Sequence, residues 1–558
     1  MILPDKEKDF LKKVLDTIDM CRVTADIRAM QARTLKQWQF TGTPDGESAI
    51  FNFIGLHIKR MAGYLYSPTD LRFQMEFENI YDKTVQSQGN MCARMITRMF
   101  ERRNIDTEFG DGVEMALTYG AAIPKLKWQY GGAGMDMVSP WQFGVIREDK
   151  NDLVDQEAVC ETSYITLHDL WRRVSHRSDA ASIMKRAKAY ASRRNVADDD
   201  SSYFHQVLLA GGAPLINTEP PYTGGPGGVV NVSSQPVGAI LAPEVAVEMV
   251  AVHELWVVDD ALGDYTTIML VEPDIFLTNP NRRRNLYVPG YLPYGLIQPN
   301  KQKGYFWGTS EVSQLMKLQL LLRDRLEDIK KLMALQYDRV LSFTGFSGMN
   351  DERYDHMKEA GWIAEDMAGA RIDDLTPQLP PAAFEDVKEI IDFMQQVAGF
   401  DNVLQGGGEP GVRAGNHAQM LLKTAAPRMR NTALRVERQC ADLGDKLFEL
   451  IAAKQGDLSW TGPNPGDTFI PALIPEDRRI VVDGHSTSPI YEDDHRELAA
   501  YLFKNQIIDG ESLLNMMQVT MRDTLIEKYR EAQAAKAQMI KEHPELLEQG
   551  HKGGSHKK

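Results

Sequence analysis

The sequence predicts an α+β chain that is mostly helical. Three observations carry that expectation. From Thr309 to Arg339 apolar residues recur at steps of three and four with no glycine or proline among them. Between Ile123 and Val271 lie short runs rich in Val, Ile, Tyr, Phe and Trp, bounded by turn residues. These strand-like runs succeed one another without alternating helices, so the first 303 residues read as α+β rather than as a βαβ repeat.

Taken in order, residues 5 to about 40 read as one amphipathic helix, with Phe10, Val14, Ile18, Cys21 and Ile27 at roughly helical spacing and Trp38-Gln39-Phe40 closing it. Ile80–Phe100 and Phe109–Tyr119 read as further helices. Strands are expected at Ile123–Trp128, Phe143–Arg147, Val159–Ile165, Val247–Val258 and Tyr265–Val271. Asp198–Pro243, with Asp198-Asp199-Asp200 and a run of prolines and glycines after Glu219, reads as an irregular surface excursion.

The long helix starts where Thr309 or Ser310 can accept a hydrogen bond from the first turn, and Glu311 complements the positive helix end. Val312, Leu315, Leu318, Leu322, Leu326, Ile329 and Met333 form its stripe, and its length is on the order of 45 Å at 1.5 Å per residue. Val340–Gly345 and Trp362-Ile363-Ala364 read as short strands, and Pro380-Pro381 opens a second helix. Phe400–Gly411 is glycine-rich. A third helix is expected from about Asn416, with Pro427 inside it and a kink near Ala426. Two or three more helices are expected between Pro489 and Ile540, ahead of a short basic tail.

Charge is distributed unevenly. The chain of 558 residues carries a net −15, and Leu341–Gly399 holds twelve acids against four bases, a local −8. An acidic balance weighs against an ordinary DNA-binding surface, which needs bases to displace counterions from phosphates. It is compatible with a wall that repels DNA and lets it slide, and equally, on charge alone, with a solvated outer face. Asn281-Arg282-Arg283-Arg284-Asn285 is the compact basic cluster, suited to phosphate or, more readily, to a salt bridge with a neighbouring subunit.

No catalytic constellation, cofactor or metal site emerges. Gly406-Gly407-Gly408-Glu409-Pro410-Gly411 matches G-x-G-x-x-G, but a helix rather than a strand precedes it, and Pro410 does not suit a pyrophosphate turn. There is no G-x-x-x-x-G-K-[ST], so ATP hydrolysis falls to a partner. His253-Glu254 lacks the second histidine of a zincin, and neither Asp198-Asp199-Asp200 nor Tyr491–His495 has calcium-loop spacing. Cys21, Cys92, Cys160 and Cys440 are scattered and read as small buried thiols. The start of the chain carries no basic-then-apolar leader, and no apolar run approaches the roughly 18 residues of a membrane span.

The order helix, small acidic module, helix, glycine loop, kinked helix, opened by Trp307-Gly308-Thr309-Ser310-Glu311, resembles the portal (head-to-tail connector) proteins of tailed bacteriophages, of the short-tailed type. Phe100–Asn104, Thr118-Tyr119-Gly120-Ala121-Ala122 and Ser139–Phe143 also look like portal segments, so the resemblance spans most of residues 10 to 520. It implies a wing over 1–303 with the excursion at 198–243, a stem helix over 304–340, a clip over 341–381 and a second stem helix over 382–399. A tunnel loop follows at 400–415, then a kinked wing helix and following segment at 416–480, a helical crown at 481–545 and a flexible tail at 546–558.

By the same resemblance Glu385, Asp386, Glu389 and Asp392 are candidates to line a channel. Val403, Leu404, Gln405 and Arg413 would touch DNA from the tunnel loop, and Asp351, Glu352, Glu365 and Asp366 would dock a motor or tail. The implied assembly is a homo-oligomeric ring, usually a dodecamer, at one capsid vertex of the virion, built in the host bacterial cytoplasm. It implies no enzymatic activity. Double-stranded DNA would pass through it without sequence preference, and its implied partners are the terminase large subunit, the major capsid and scaffolding proteins, and tail adaptor proteins. The rival readings are a metal-dependent hydrolase or nuclease of a mobile element, and another scaffold or tail protein of a virion.

Overall fold

The structure is a computed structural model. It describes residues 5–44, 49–66, 71, 73–77, 83–129, 132–195, 246–279, 282–337, 339, 341–344, 369, 371–399, 427–455, 470–475, 477–482 and 499–505, with isolated positions at 352, 355, 507, 510 and 513. The fold is mixed helix and sheet. The chain divides into two compact units, one comprising Met1–Ala62, Gly112–Lys125 and Asp136–Glu409, the other Gly63–Asp111, Leu126–Met135 and Pro410–Lys558. Residues 1–303, the expected wing, contribute to both.

The first unit is organised around an antiparallel sheet. Its path is β4 (Phe143–Val145), β5 (Ala158–Thr166), β7 (Ala246–Asp259), β8 (Asp264–Val271) and β9 (Ile275–Phe276), with β6 (Ser192–Asn195) added to the start of β7. Strand alternation fixes what each face buries. On one face Val159, Trp256, Phe143, Tyr294, Phe306 and Trp307 form a cluster, and further along the same strands Val250 and Val252 meet α6 (Leu167–Val174) and α7 (Ala180–Tyr190). On the other face Ala158, Cys160, Leu255 and Leu270 pack under Val14, Ile18 and Cys21 of α1 (Asp5–Arg22). Burial pushes the Cys21 thiol up to about 12 and the Cys160 thiol higher still, as expected of inert core thiols.

The expected single helix over residues 5–40 is two helices, α1 and α2 (Ala25–Thr41). The buried line Val14, Ile18, Cys21 continues through the break at Val23-Thr24 at steps of three and four, and Ile27, six residues from Cys21, does not fall on it. Ala25, Arg28, Ala32, Trp38, Gln39 and Thr41 are the buried positions of α2, and Ile27, assigned by spacing to the core stripe, is 53% exposed. α3 (Phe53–Leu65) follows.

In the second unit β1 (Phe73–Phe77) pairs antiparallel with β12 (Arg478–Val482), and both lie with α4 (Lys83–Arg102) and the long helix α10 (Pro427–Gln455). Cys440, Leu443, Leu447 and Leu450 are buried, as their spacing predicts, and Gly444 lets Phe73 approach the α10 backbone, since a Cβ there would meet that ring at 2.6 Å. Arg478 stacks over Phe448 at 4.3 Å and pairs with Asp445 at 3.1 Å and with Glu449. α10 begins at Pro427 within the described residues; the upstream part of the expected helix, the kink near Ala426 and the loop before it lie outside them. Further elements are α5 (Ile105–Tyr119), the paired strands β2 (Ile123–Gln129) and β3 (Gly132–Val138), α8 (Glu311–Tyr337), β10 (Leu341–Thr344), β11 (Arg371–Asp374) and α9 (Ala382–Ala398).

Candidate functional site

α8 grows from a tightly fitted root. Ser310 Oγ accepts the Ser313 amide at 3.3 Å, making it the cap rather than Thr309, and its hydroxyl donates to the Thr118 carbonyl. Glu311 is fully buried, takes a 2.7 Å bond from Asn300 and lies 3.7 Å from His57. One turn and more along, buried Gln319 accepts the Phe53 amide and donates to the Phe51 carbonyl, tying the start of α3 to α8. Two of the segments singled out in the sequence meet here. Gly120 has φ +100°, and a Cβ on it would lie 2.5 Å from the Trp307 carbonyl oxygen, while one on Gly308, at φ +66°, would lie 2.9 Å from the Gly120 oxygen. Thr118–Ala122 and Trp307–Ser310 therefore fit together only with glycine at both points.

Away from that root the helix loses its cover. Val312, Leu315, Leu322 and Ile329 are buried, but Met333 continues the same stripe 45% exposed and Tyr337 is 87% exposed. From Lys330 to Tyr337 every residue but Leu332 is exposed. α9 packs along α8 through Ile390, Met394 and Ala398 and leaves Phe384, Phe393 and Val397 exposed. An isolated apolar side chain on a surface means little; here Met333 on α8 and Phe393 and Val397 on α9 make an exposed apolar strip that continues a core stripe.

The four predicted acids of α9 do not form one set. Glu385, Glu389 and Asp392 recur at four and three residues and share the face turned away from buried Ile390, Met394 and Ala398. Asp386 is about 100° round from Glu385, beside Phe393 and Val397. Glu385, Asp386 and Glu389 are exposed and Asp392 is half-buried.

β10 and β11 form a two-stranded antiparallel ladder between the two helices, Leu341 opposite Asp374 and Thr344 opposite Arg371. Its edges carry Arg339 at 3.7 Å from Asp374, and the Thr376 hydroxyl and amide hold the Asp374 carboxyl below its usual range. The partner of β10 is thus Arg371–Asp374, which the sequence reading did not mark as a strand, while Trp362–Ala364 lies outside the described residues. Of the docking candidates Glu352 is exposed; Asp351, Glu365 and Asp366, and the loop residues Val403, Leu404, Gln405 and Arg413, are outside the described residues, as is the expected crown except 481–482, which end β12, 499–505 and isolated positions.

Elsewhere the first unit holds a polar cluster of the kind a hydrolase would use. Glu161 and Glu254 face each other across β5 and β7. Lys125 bridges them at 2.6 and 2.8 Å, the Tyr294 hydroxyl donates to Glu161 at 2.7 Å, and Trp256 Nε1 donates to Glu254 at 3.0 Å. Burial lowers the Lys125 pKa, and the two carboxylates outweigh it and raise the value overall. Every member is engaged, so the cluster ties β2 to the sheet. Among the described residues no three His, Cys, Asp or Glu side chains are placed to hold a metal ion. A groove of about 460 Å³ lies between α1 and the β7–β8 end, lined by Phe10, Val14, Val257 and Ile268. On its rim Arg283 of the basic cluster pairs within the chain, with Asp259 at 3.3 Å.

One surface escaped the sequence reading. Met20, Val23, Ile27 and Met30, at steps of three and four through the α1–α2 break, are 54%, 75%, 53% and 64% exposed. Their spacing was the available signal, masked by the competing stripe of Phe10, Val14, Ile18 and Cys21. No helix among the described residues is long and apolar enough to cross a membrane. In comparisons with known proteins, no protein family and no curated protein matches this chain.

Proposed function

We propose that this chain is a portal subunit: a ring-forming, non-enzymatic conduit for double-stranded DNA at one capsid vertex, on which a terminase motor and then the tail dock. The observation that carries the reading is the α8–α9 pair, rooted firmly at one end and uncovered at the other, with an acidic line opposite its packed face. In a closed heterologous ring each copy offers one flank to the preceding subunit and another to the next. Phe393, Val397, Met333 and Tyr337 then find cover without any change in the subunit, and the line Met20–Met30 supplies a further contact. Glu385, Glu389 and Asp392 face the passage, where like charge keeps the duplex off the wall, and Asp386 sits at the subunit flank.

Native mass spectrometry tests the reading. The purified chain is expected to give one large species near a dodecamer, and Phe393→Asp with Val397→Asp is expected to reduce it to folded monomers. A native chain that stays monomeric or dimeric under assembly conditions overturns the proposal. The channel assignment has its own test: Glu385→Lys, Glu389→Lys and Asp392→Lys together should leave the ring intact yet make DNA adhere and slow packaging, most strongly at low salt.

A further inference from the structure

α4 carries the reverse of the charge pattern on α9. In a chain of net charge −15 this helix has Lys83, Arg94, Arg98 and Arg102 against one acid, Glu101, and Arg103 follows directly. Its core side is Met91, Cys92, Met95, Ile96 and Phe100, all buried. Ser87, Asn90, Arg94 and Arg98, with Arg102 one turn on, recur at steps of three and four on the opposite side, and all five are exposed. Glu101 is exposed on the same side and leaves the face basic. No large apolar side chain is exposed on this helix among the described residues.

That composition distinguishes two partners. A face that meets another copy of the chain has an apolar centre, as the exposed parts of α8 and α9 do. Surfaces that meet nucleic-acid backbone are built from Arg with Ser and Asn side chains, and the line from Ser87 to Arg102 extends roughly 22 Å at 1.5 Å per residue. We propose that this face of α4 binds double-stranded DNA through its phosphates, with no sequence preference. The proposal rests on the portal reading for the identity of the polyanion; the acidic channel lets DNA slide, and the α4 face holds it.

The test is fluorescence anisotropy of the full-length chain with a short mixed-sequence duplex over a range of salt concentrations, with native mass measured on the same samples. The native chain should bind at low salt. Arg94→Gln, Arg98→Gln and Arg102→Gln together should weaken binding by at least about tenfold and flatten the plot of log affinity against log salt by about 3. Duplexes of different sequence should be affected alike. Unchanged affinity and slope in the triple variant, or no binding by the native chain at low salt, overturns the proposal. So does a triple variant that loses the ring while the native chain keeps it, since α4 would then be a subunit contact. A native chain that forms no ring but shows Arg-dependent DNA binding sinks the portal reading and leaves this inference standing.

Discussion

The β5–β7–β8 sheet and the α8–α9 pair belong to the same unit and solve the same problem differently. The sheet covers both its faces within the chain: α1 on one side, and Phe143, Tyr294, Phe306 and Trp307 with α6 and α7 on the other. The helix pair covers one stripe and leaves its continuation in solvent. Hydrophobic burial stabilises only what is removed from water, so the sheet is complete in one copy, and on the proposed ring the helix pair is completed by a neighbouring copy. Substitutions in the first region should therefore register in the stability of the subunit, and those in the second in its association.

Trp256→Ala should break the sheet most severely, costing about 3–5 kcal/mol in denaturant unfolding of the subunit, because it empties the centre of a cluster with no freedom to collapse. Lys125→Met should cost about 3 kcal/mol, since it leaves Glu161 and Glu254 facing each other across adjacent strands without their shared cation. Adding Glu161→Gln and Glu254→Gln should recover most of the loss. The folded pKa of Lys125 is raised, so its contribution is fully present below the unfolded lysine value of about 10.4 and is lost only as pH climbs through the folded value. Gly120→Ala should cost more than about 1 kcal/mol through left-handed backbone and the Trp307 carbonyl, and should loosen the root of α8.

The second unit offers a pH-dependent contrast. Burial brings the Lys446 pKa down to about 8 against the pull of Asp442 and Asp445. A lysine with a depressed folded value destabilises most below that value, and the penalty fades as pH rises toward the unfolded value of about 10.4. Lys446→Met should therefore be more stable than the native chain at neutral pH, with the advantage shrinking between about pH 8 and 10.4; an advantage independent of pH would contradict the assignment. At the small end, Phe393→Ser should move subunit stability by no more than about 0.5 kcal/mol while weakening assembly, and comparable loss of stability in the isolated subunit would erase the distinction between the two regions.

How much of this was legible in the sequence follows the same division. Strands β5, β7 and β8 were readable because alternating Val, Ile, Trp and Leu have no other good use, and the length of α8 was readable from an unbroken stripe. The α1–α2 break was not, because Val23-Thr24 contains neither glycine nor proline. β11 was not, because Arg371-Ile372-Asp373-Asp374 has poor strand propensity and is held by pairing with β10. In the candidate site the acidic count of α9 was visible, but separating Asp386 from Glu385, Glu389 and Asp392 needed the phase of Ile390, Met394 and Ala398 against α8. The basic line on α4 was in the sequence throughout. It became distinct once Met91, Met95 and Ile96 were seen to take the other side.

Negative-stain electron microscopy of the purified full-length chain tests the central claim most directly. Class averages are expected to show closed rings with an axial hole wide enough for a DNA duplex, with the ring disappearing in Phe393→Asp with Val397→Asp. Particles the size of one or two subunits, or closed assemblies without an axial hole, would contradict it.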